Sequence, residues 1–421
     1  MAETGRKLVP LEGLRGIAAA IVVLYHLVLA FTPKGVGVVP HGHGALDTMT
    51  QFVLGMLNGG AAVAVFFVLS GFILSLPFGR DRRISRVLVA LLKRWPRLAC
   101  LTVITCLFAF ALITWSGHEY KKAAHVIGAG WLASHGNSPI RPAHLTWEGA
   151  LREGLINVFT RGEVKFDSPL WTMRIELFCS FAIFFAAPVL FAIGNWVLRL
   201  GLVALAIYIT GTGYPFTFFA DFLVGTVLAM LFAEGRLPAL GNKAAVLLGG
   251  LGLYLFSFTY EQTLLIHAPL KLLLAPKFSH YVWDAGAALI IAVLLGNPAM
   301  RRAFSGSWAV WLGLLSFPIY LLHGPILLSA GSVAFMDGVG TLGMAGAALM
   351  AAGCSILLTL ICALPLAWVD KIWTSLLSRV MKPLARSRTA ADARPPDLRP
   401  GAGNAAGRQS SDSSQAASGR A

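Results

Sequence analysis

Charge is scarce in this sequence. Only 13% of its 421 residues are charged and 57% are hydrophobic, with a mean hydropathy of +0.72. That balance excludes an ordinary water-soluble enzyme of this length and points to an all-α integral membrane protein. Acidic residues are the scarcest of all, 19 against 34 Lys and Arg, for a net charge of +15. The basic excess sits in short clusters between apolar runs and in the C-terminal tail. No recognisable basic module accompanies it, so membrane orientation accounts for it and no nucleic-acid partner is expected. Cysteine is sparse too. Cys100, Cys106, Cys179, Cys354 and Cys362 all fall inside apolar runs, with no CxxC and no histidine at metal spacing. They read as packing residues, and no metal site is expected. No small-x-small cleavage site precedes Phe31, and the first apolar run is longer than a signal-peptide core, so it reads as a retained span. No repeat of inverted topology is visible, which argues against a transporter built from paired halves.

What the sequence does have is apolar runs. Hydropathy predicts about ten spans, near 11–31, 60–78, 98–115, 168–193, 197–212, 215–233, 244–260, 281–296, 308–330 and 341–368. Between the second and third lies a basic stretch with Arg80, Arg82, Arg83, Arg86, Lys93, Arg94 and Arg97. Its apolar residues Ile84, Val87, Leu88, Leu91 and Leu92 recur at helical spacing, so it is predicted to lie flat on the inner surface. With the N-terminus inside, that stretch, Arg199, Arg236 with Lys243, and Arg301 with Arg302 all fall on inner loops. Both termini are then cytoplasmic. The segment 116–167 is the longest polar loop and carries Trp131, His135, His144 and Trp147; a loop of that length is expected to cover a binding site. His41 and His43, in HGHG, read as loop residues sooner than as metal ligands. The expected division is a membrane domain over 1–384 and a disordered cytoplasmic tail over 385–421, rich in Ala, Gly, Ser, Pro and Arg.

Ionisable groups inside apolar runs mark candidate function, because hydrocarbon penalises them unless they pair or face water. Arg15 and His26 share the first run, eleven residues apart. That spacing returns to nearly the same helix face, about 16 Å further along the axis. Orientation then assigns depths. His26, Glu176, Asp221 and His323 are predicted to converge in the outer half, around a shared polar cavity walled by Trp171 and Arg174. Arg15 lies near the inner face with Arg94 and Arg97, placed to hold an anion such as a phosphate. A neutral imidazole in a partly dry site is free to take a proton from a hydroxyl, and a carboxylate can orient it. Plainer readings stand beside these: Ser316, Tyr320 and His323 form one helix stripe that could be an interhelical hydrogen-bond seam, and Asp221 could simply pair with a neighbouring cation.

Four stretches, in order, carry a resemblance. LEGLRGIAAAIVVLYH places an Arg eleven residues before a His. VFFVLSGFIL contains Ser70 and Gly71; LWTMRIE ends in Glu176; LSFPIYLLHGPIL contains Tyr320 and His323. Together they make the chain resemble the membrane-bound acyltransferase family 3, bacterial integral-membrane O-acyltransferases of surface glycans, over about residues 8–370. Thr172, Met173 and Phe317 depart from its motifs. Cys179 and Ser180 stand where the family often has Phe-Tyr. Its basic motif normally carries a later proline, here displaced to Pro96, so the helix break after the basic surface is expected to shift.

The resemblance implies a multi-pass protein of the bacterial inner membrane. It implies transfer of an acyl group, most often acetyl, from cytoplasmic acyl-CoA to a hydroxyl of an extracytoplasmic carbohydrate. Exopolysaccharide, cellulose included, is the leading acceptor. It implies no permanently bound cofactor, acyl-CoA being a co-substrate, and polysaccharide-synthesis machinery as a candidate partner beside the lipid bilayer. His26 would be a general base or transient acyl relay, with Glu176 and His323 orienting. Arg15, Arg94 and Arg97 would hold the CoA phosphates, and Trp171, Asp221, Tyr320 and Ser70 would meet substrate. The rival reading is a proton-coupled transporter or glycan exporter, with His26, Glu176 and Asp221 as a proton relay. A non-catalytic partner of a polysaccharide synthase is a third.

Overall fold

The computed structural model describes residues 8–32, 55–136, 145–211, 216–259, 267–273 and 278–382. His41, His43, His144 and the tail over 385–421 lie outside the described residues. Among those described there is no strand, and ten long helices carry the architecture. They are α1 (Val9–Phe31), α2 (Gly59–Ser75), α3 (Ile84–Ser116), α4 (Trp171–Ala192), α5 (Trp196–Thr210), α6 (Phe219–Ala233), α7 (Asn242–Phe256), α8 (Ser279–Gly296), α9 (Ser307–Ile326) and α10 (Ser332–Val380). Each expected apolar run falls on one of them. Six stretches are long and apolar enough to cross a membrane: Val9–Phe31, Gly59–Gly79, Ile84–Ser116, Ser168–Ala192, Ser279–Gly296 and Ser307–Val380. The other three helices, α5, α6 and α7, are apolar but have 15 residues each. That is about 22 Å of helix against a hydrocarbon layer of about 30 Å. The chain is a multi-pass membrane protein. Its exposed apolar side chains, such as Val246 and Leu247 on α7 and Leu349 and Leu357 on α10, cost nothing in lipid.

Local chemistry starts the helices where the sequence allows. Pro10 lies in the first turn of α1, where a missing N–H is harmless. Asn58 caps α2 by accepting from Ala61 N at 3.0 Å, and Asn195 caps α5 in the same way. Small residues then set the crossings. On α1, Gly13 and Gly16 face Ala309 and Leu312 of α9, and Gly313 of α9 faces Glu12, so the two helices run parallel in near contact. Gly71 of α2 lies against the Phe222 carbonyl of α6, and Gly225 of α6 against the Val68 carbonyl of α2. One turn on, the Ser75 and Thr226 hydroxyls meet at 2.7 Å.

Three expectations are corrected. The basic stretch is not a separate surface helix: from Ile84 on it is the first part of α3, and Pro96 sits inside that helix without ending it. Proline leaves the Leu92 carbonyl without its helical donor, and helices in a membrane tolerate this when neighbours pack around them. Here Trp373 Nε1 of α10 donates to the Pro96 carbonyl at 2.8 Å. Second, the last two spans do not end where the hydropathy dips. A π-helical turn over Leu327–Gly331 carries α9 into α10, and the break comes at Gly343, whose φ of 67° places it in the left-handed region. Third, the 116–167 segment is largely structured. Its short helices Glu119–Ile127, Gly130–Ala133 and Trp147–Arg152 form a cap, with Tyr120, Leu132 and Phe159 fully buried. Thr102 of α3 donates to the Gly154 carbonyl at 2.6 Å and pins the cap down.

Two outcomes test this architecture. Gly71→Ala or Gly225→Ala would drive a methyl into the facing carbonyl, so each is expected to cost about 1–3 kcal/mol by overpacking, read as a lower melting temperature in detergent. Cap residue Glu153 is 2% exposed and accepts from Phe166 N at 2.9 Å. Burial pushes its carboxyl up to about 7, against the Phe166 amide and Lys165, which pull it down. The folded cap therefore binds a proton that the unfolded chain releases near 4.5, so stability falls as pH rises through that window and levels off above about 7. In melting scans across this range Glu153→Gln is expected to lose that slope; parallel wild-type and variant curves would refute the assignment.

Candidate active site

The α1–α9 pair brings four of the expected polar residues into two contacts. At one end, Arg15 Nε donates to Ser316 Oγ at 2.9 Å and its Nη2 to the Gly313 carbonyl at 2.9 Å, with Glu12 in ion-pair contact at 2.6 Å. At the other end, His26 Nδ1 and His323 Nε2 are 3.0 Å apart, and His323 Nδ1 lies 2.7 Å from the Tyr320 carbonyl. A carbonyl only accepts, so His323 Nδ1 carries the hydrogen and its Nε2 presents a lone pair. His26 Nδ1 must then be the donor between the rings. This leaves His26 Nε2 as an unprotonated nitrogen, a tautomer assigned from the hydrogen-bond network.

His26 lies at the edge of a cavity lined also by Tyr25, Gly59, Gly60, Val63, Trp131, Gly136, Ser168, Trp171 and Tyr320. Trp131, from the cap, stacks on the imidazole with ring centroids 5.0 Å apart. The cap thus covers this histidine chamber, as a structured lid over one face. The chamber offers aromatic walls and a basic nitrogen, a setting suited to a polar ligand with an apolar face.

A second cavity holds the arginines. Its lining combines the polar residues Arg15, Arg94, Arg97, Ser70, Glu176 and Asp370 with the apolar residues Phe66, Phe67, Met173, Leu314 and Phe317. Arg94 is 8% exposed; it pairs with Glu176, and its Nε donates to Ser180 Oγ at 2.8 Å. Ser70 Oγ donates to Glu176 Oε1 at 2.8 Å. Arg97 is exposed, and an adjoining cleft adds Arg86 and Lys93 to Arg94 and Arg97. Among the described residues only Val63 and Tyr320 line both chambers. Tyr320 is held there by the Pro169 carbonyl at 2.9 Å and Thr172 Oγ1 at 3.0 Å.

The predicted convergence of four ionisable groups is therefore corrected. His26 and His323 do meet, but Glu176 lies across the wall with Arg94 and Ser70. Asp221, on α6, lines neither chamber and faces a second buried carboxyl, Asp284 of α8, rather than a cation. Arg174 lies over the Phe178 ring at 5.9 Å instead of walling the cavity, whereas Trp171 does line the histidine chamber. A continuous proton relay through His26, Glu176 and Asp221 has no structural counterpart. Half-buried Asp370, on the arginine chamber, and buried Asp167 escaped the sequence reading, as did Asp284. Asp370 sits in the last apolar helix, where a lone acid at its end was the available signal. Asp167 is fully buried and packs against Gly324, the residue after His323. Burial, with Glu153 adding to it, pushes its carboxyl well above the usual range; no sequence pattern marks it.

Comparison with known proteins gives this geometry a family. No solved structure matches the chain. A curated relative, the O-acetyltransferase PaAT-1 of Phomopsis amygdali, is 24% identical over 369 residues, covering 76% of this chain and 72% of its own. The family model described as an acyltransferase domain, acyltransferase 3, matches residues 9–368, from the start of α1 to near the end of the apolar part of α10, and the chain belongs to that family of membrane acyltransferases.

Proposed function

We propose that this acyltransferase moves an acyl group, acetyl first among them, from cytoplasmic acyl-CoA to a carbohydrate hydroxyl on the far side of the membrane. The observation that carries the reading is the pair of chambers with opposite chemistry, back to back at Tyr320. The arginine chamber and its adjoining cleft present Arg97, Arg86 and Lys93 together with internally paired Arg94 and Glu176 and the apolar Phe66, Phe67 and Leu314, suited to a donor with a polyanionic head and an uncharged acyl arm. The histidine chamber presents His26 Nε2 among Trp131, Trp171 and Tyr25, suited to stacking on the apolar face of a sugar ring.

In the reaction, the sugar oxygen attacks the thioester carbonyl carbon as its proton passes to His26 Nε2. The C–S bond breaks, and the proton goes on to the departing thiolate, so no net proton is consumed. His323 holds His26 in the tautomer this needs, and the positive charge that arises on His26 is shared across the 3.0 Å bond. Glu176 acts as a positioning residue through Arg94, which it fixes at the chamber wall, while Arg15 is seated on α9 by Ser316 and Gly313. Orientation follows the positive-inside rule with both termini cytoplasmic and ten crossings of a bacterial inner membrane. The acceptor class is a surface glycan, exopolysaccharide and cellulose ahead of the rest, modified alongside the machinery that makes it.

The test is purified full-length protein with labelled acetyl-CoA and a glycan extract. His26→Ala is expected to lower acyl transfer about 10²- to 10⁴-fold with CoA binding retained. Arg97→Ala is expected to raise the KM for acyl-CoA with little change in kcat. Equal transfer by wild type and His26→Ala would remove His26 from the chemistry. If neither consumes acyl-CoA while vesicles containing the protein move a solute, the enzyme reading itself is wrong.

A further inference from the structure

Among the described residues, the wall between the chambers has only two side chains in common to both sides, Val63 of α2 and Tyr320 of α9. Tyr320 is fixed: its hydroxyl is bonded to Pro169 and Thr172, and the Phe66 ring meets it edge-on with centroids 5.7 Å apart. Val63 is fixed for a different reason. A β-branched side chain in a helix has one strongly preferred rotamer, and Val63 is 8% exposed. Neither group swings aside freely. The donor's nucleotide end belongs with the cations and His26 lines only the other chamber, so the acyl end must enter the gap between these side chains to bring its carbonyl carbon within about 3–3.5 Å of an oxygen activated by His26.

We propose that Val63 and Tyr320 form a fixed threshold for the acyl group, and that the bulk of Val63 makes the enzyme select acyl groups unbranched at the α-carbon. This rests on the acyl-transfer reading above. A threshold reads cross-section rather than length: a linear chain presents one methylene at a time, whereas isobutyryl presents two methyls at the carbon beside the reacting carbonyl. Tyr320 is a poor place to relax the gap, because removing its hydroxyl also removes the bonds that tie it to Pro169 and Thr172. Val63 makes no polar bond, and its two methyls are what an α-branch would meet.

The experiment measures thiol release from acetyl-CoA and from isobutyryl-CoA by full-length protein in lipid nanodiscs, supplied with the same glycan extract. Equilibrium binding of CoA serves as the folding control. For Val63→Ala the isobutyryl-to-acetyl ratio of kcat/KM is expected to rise about tenfold or more, the scale on which a pocket discriminates single methylenes. Val63→Ile, which narrows the gap, is expected to slow acetyl transfer while CoA binding is unchanged. A wild type that uses acetyl-CoA, with both variants binding CoA and keeping its ratio and rate, overturns the threshold and leaves the acyl-transfer reading intact. A wild type inert toward both donors overturns that reading, and the threshold with it.

Discussion

The close parallel contact of α1 and α9 is the constraint on which the site depends. Gly13 and Gly16 lie against Ala309 and Leu312, and Gly313 lies against Glu12, so the two backbones approach without side chains between them. In lipid there is little hydrophobic gain from helix association, and close packing with interhelical hydrogen bonds has to supply it. Both occur in this pair. Arg15 reaches Ser316 and Gly313 near the glycine seam, and His26 reaches His323 further along. The hydrogen-bond seam and the candidate site, alternatives when only the stripe Ser316, Tyr320 and His323 was considered, are one structure.

Much of this could be read from the residues because it is local or periodic. The apolar runs locate the helices, and the eleven-residue spacing of Arg15 and His26 places both on the face that meets α9. Depth along a span, assigned from orientation, is one coordinate of three. Glu176 and Asp221 were assigned to the histidine cluster on depth alone, whereas rotation about α4 and α6 turns them toward Arg94 and Asp284. Their partners lie 82 and 63 residues away in the sequence, and no periodicity carries that information. Pro96 is a related case. A proline between a basic stretch and an apolar run reads as a boundary, yet the helix runs through it, with Trp373 of α10 docked on the Pro96 carbonyl, a contact between distant segments that the local sequence does not carry.

The arginine chamber is less positive than its composition implies. Arg15 is matched by Glu12 and Arg94 by Glu176, so two of its three arginines bring their own counter-charge. Burying an unpaired guanidinium would be costly, and removing one member of a buried pair leaves the other uncompensated. Positive field for an anionic donor must therefore come from the rim, where Arg97 stands beside Lys93, the Arg86 of the same cleft being paired with Asp81 at 3.0 Å. The division is physically coherent with the proposed donor: neutral pairs in the interior suit an uncharged acyl arm, and the rim cations Arg97 and Lys93 suit phosphates.

Tyr320 ties the two chambers together. Its ring and hydroxyl belong to the wall, bonded to Pro169 and Thr172 at the start of α4. Its carbonyl, facing the other way, accepts from His323 Nδ1 and so fixes the tautomer that leaves His26 Nε2 unprotonated. Serine or alanine at this position could supply the carbonyl but not the wall. The three-residue spacing of Tyr320 and His323 on one helix makes the barrier and the residue that orients the base parts of a single rigid turn. A displacement of α9 against α1 large enough to open the wall would also stretch the His26–His323 bond that orients the base. The proposed chemistry therefore favours an acyl group slipping past a standing Tyr320 over one admitted by its withdrawal.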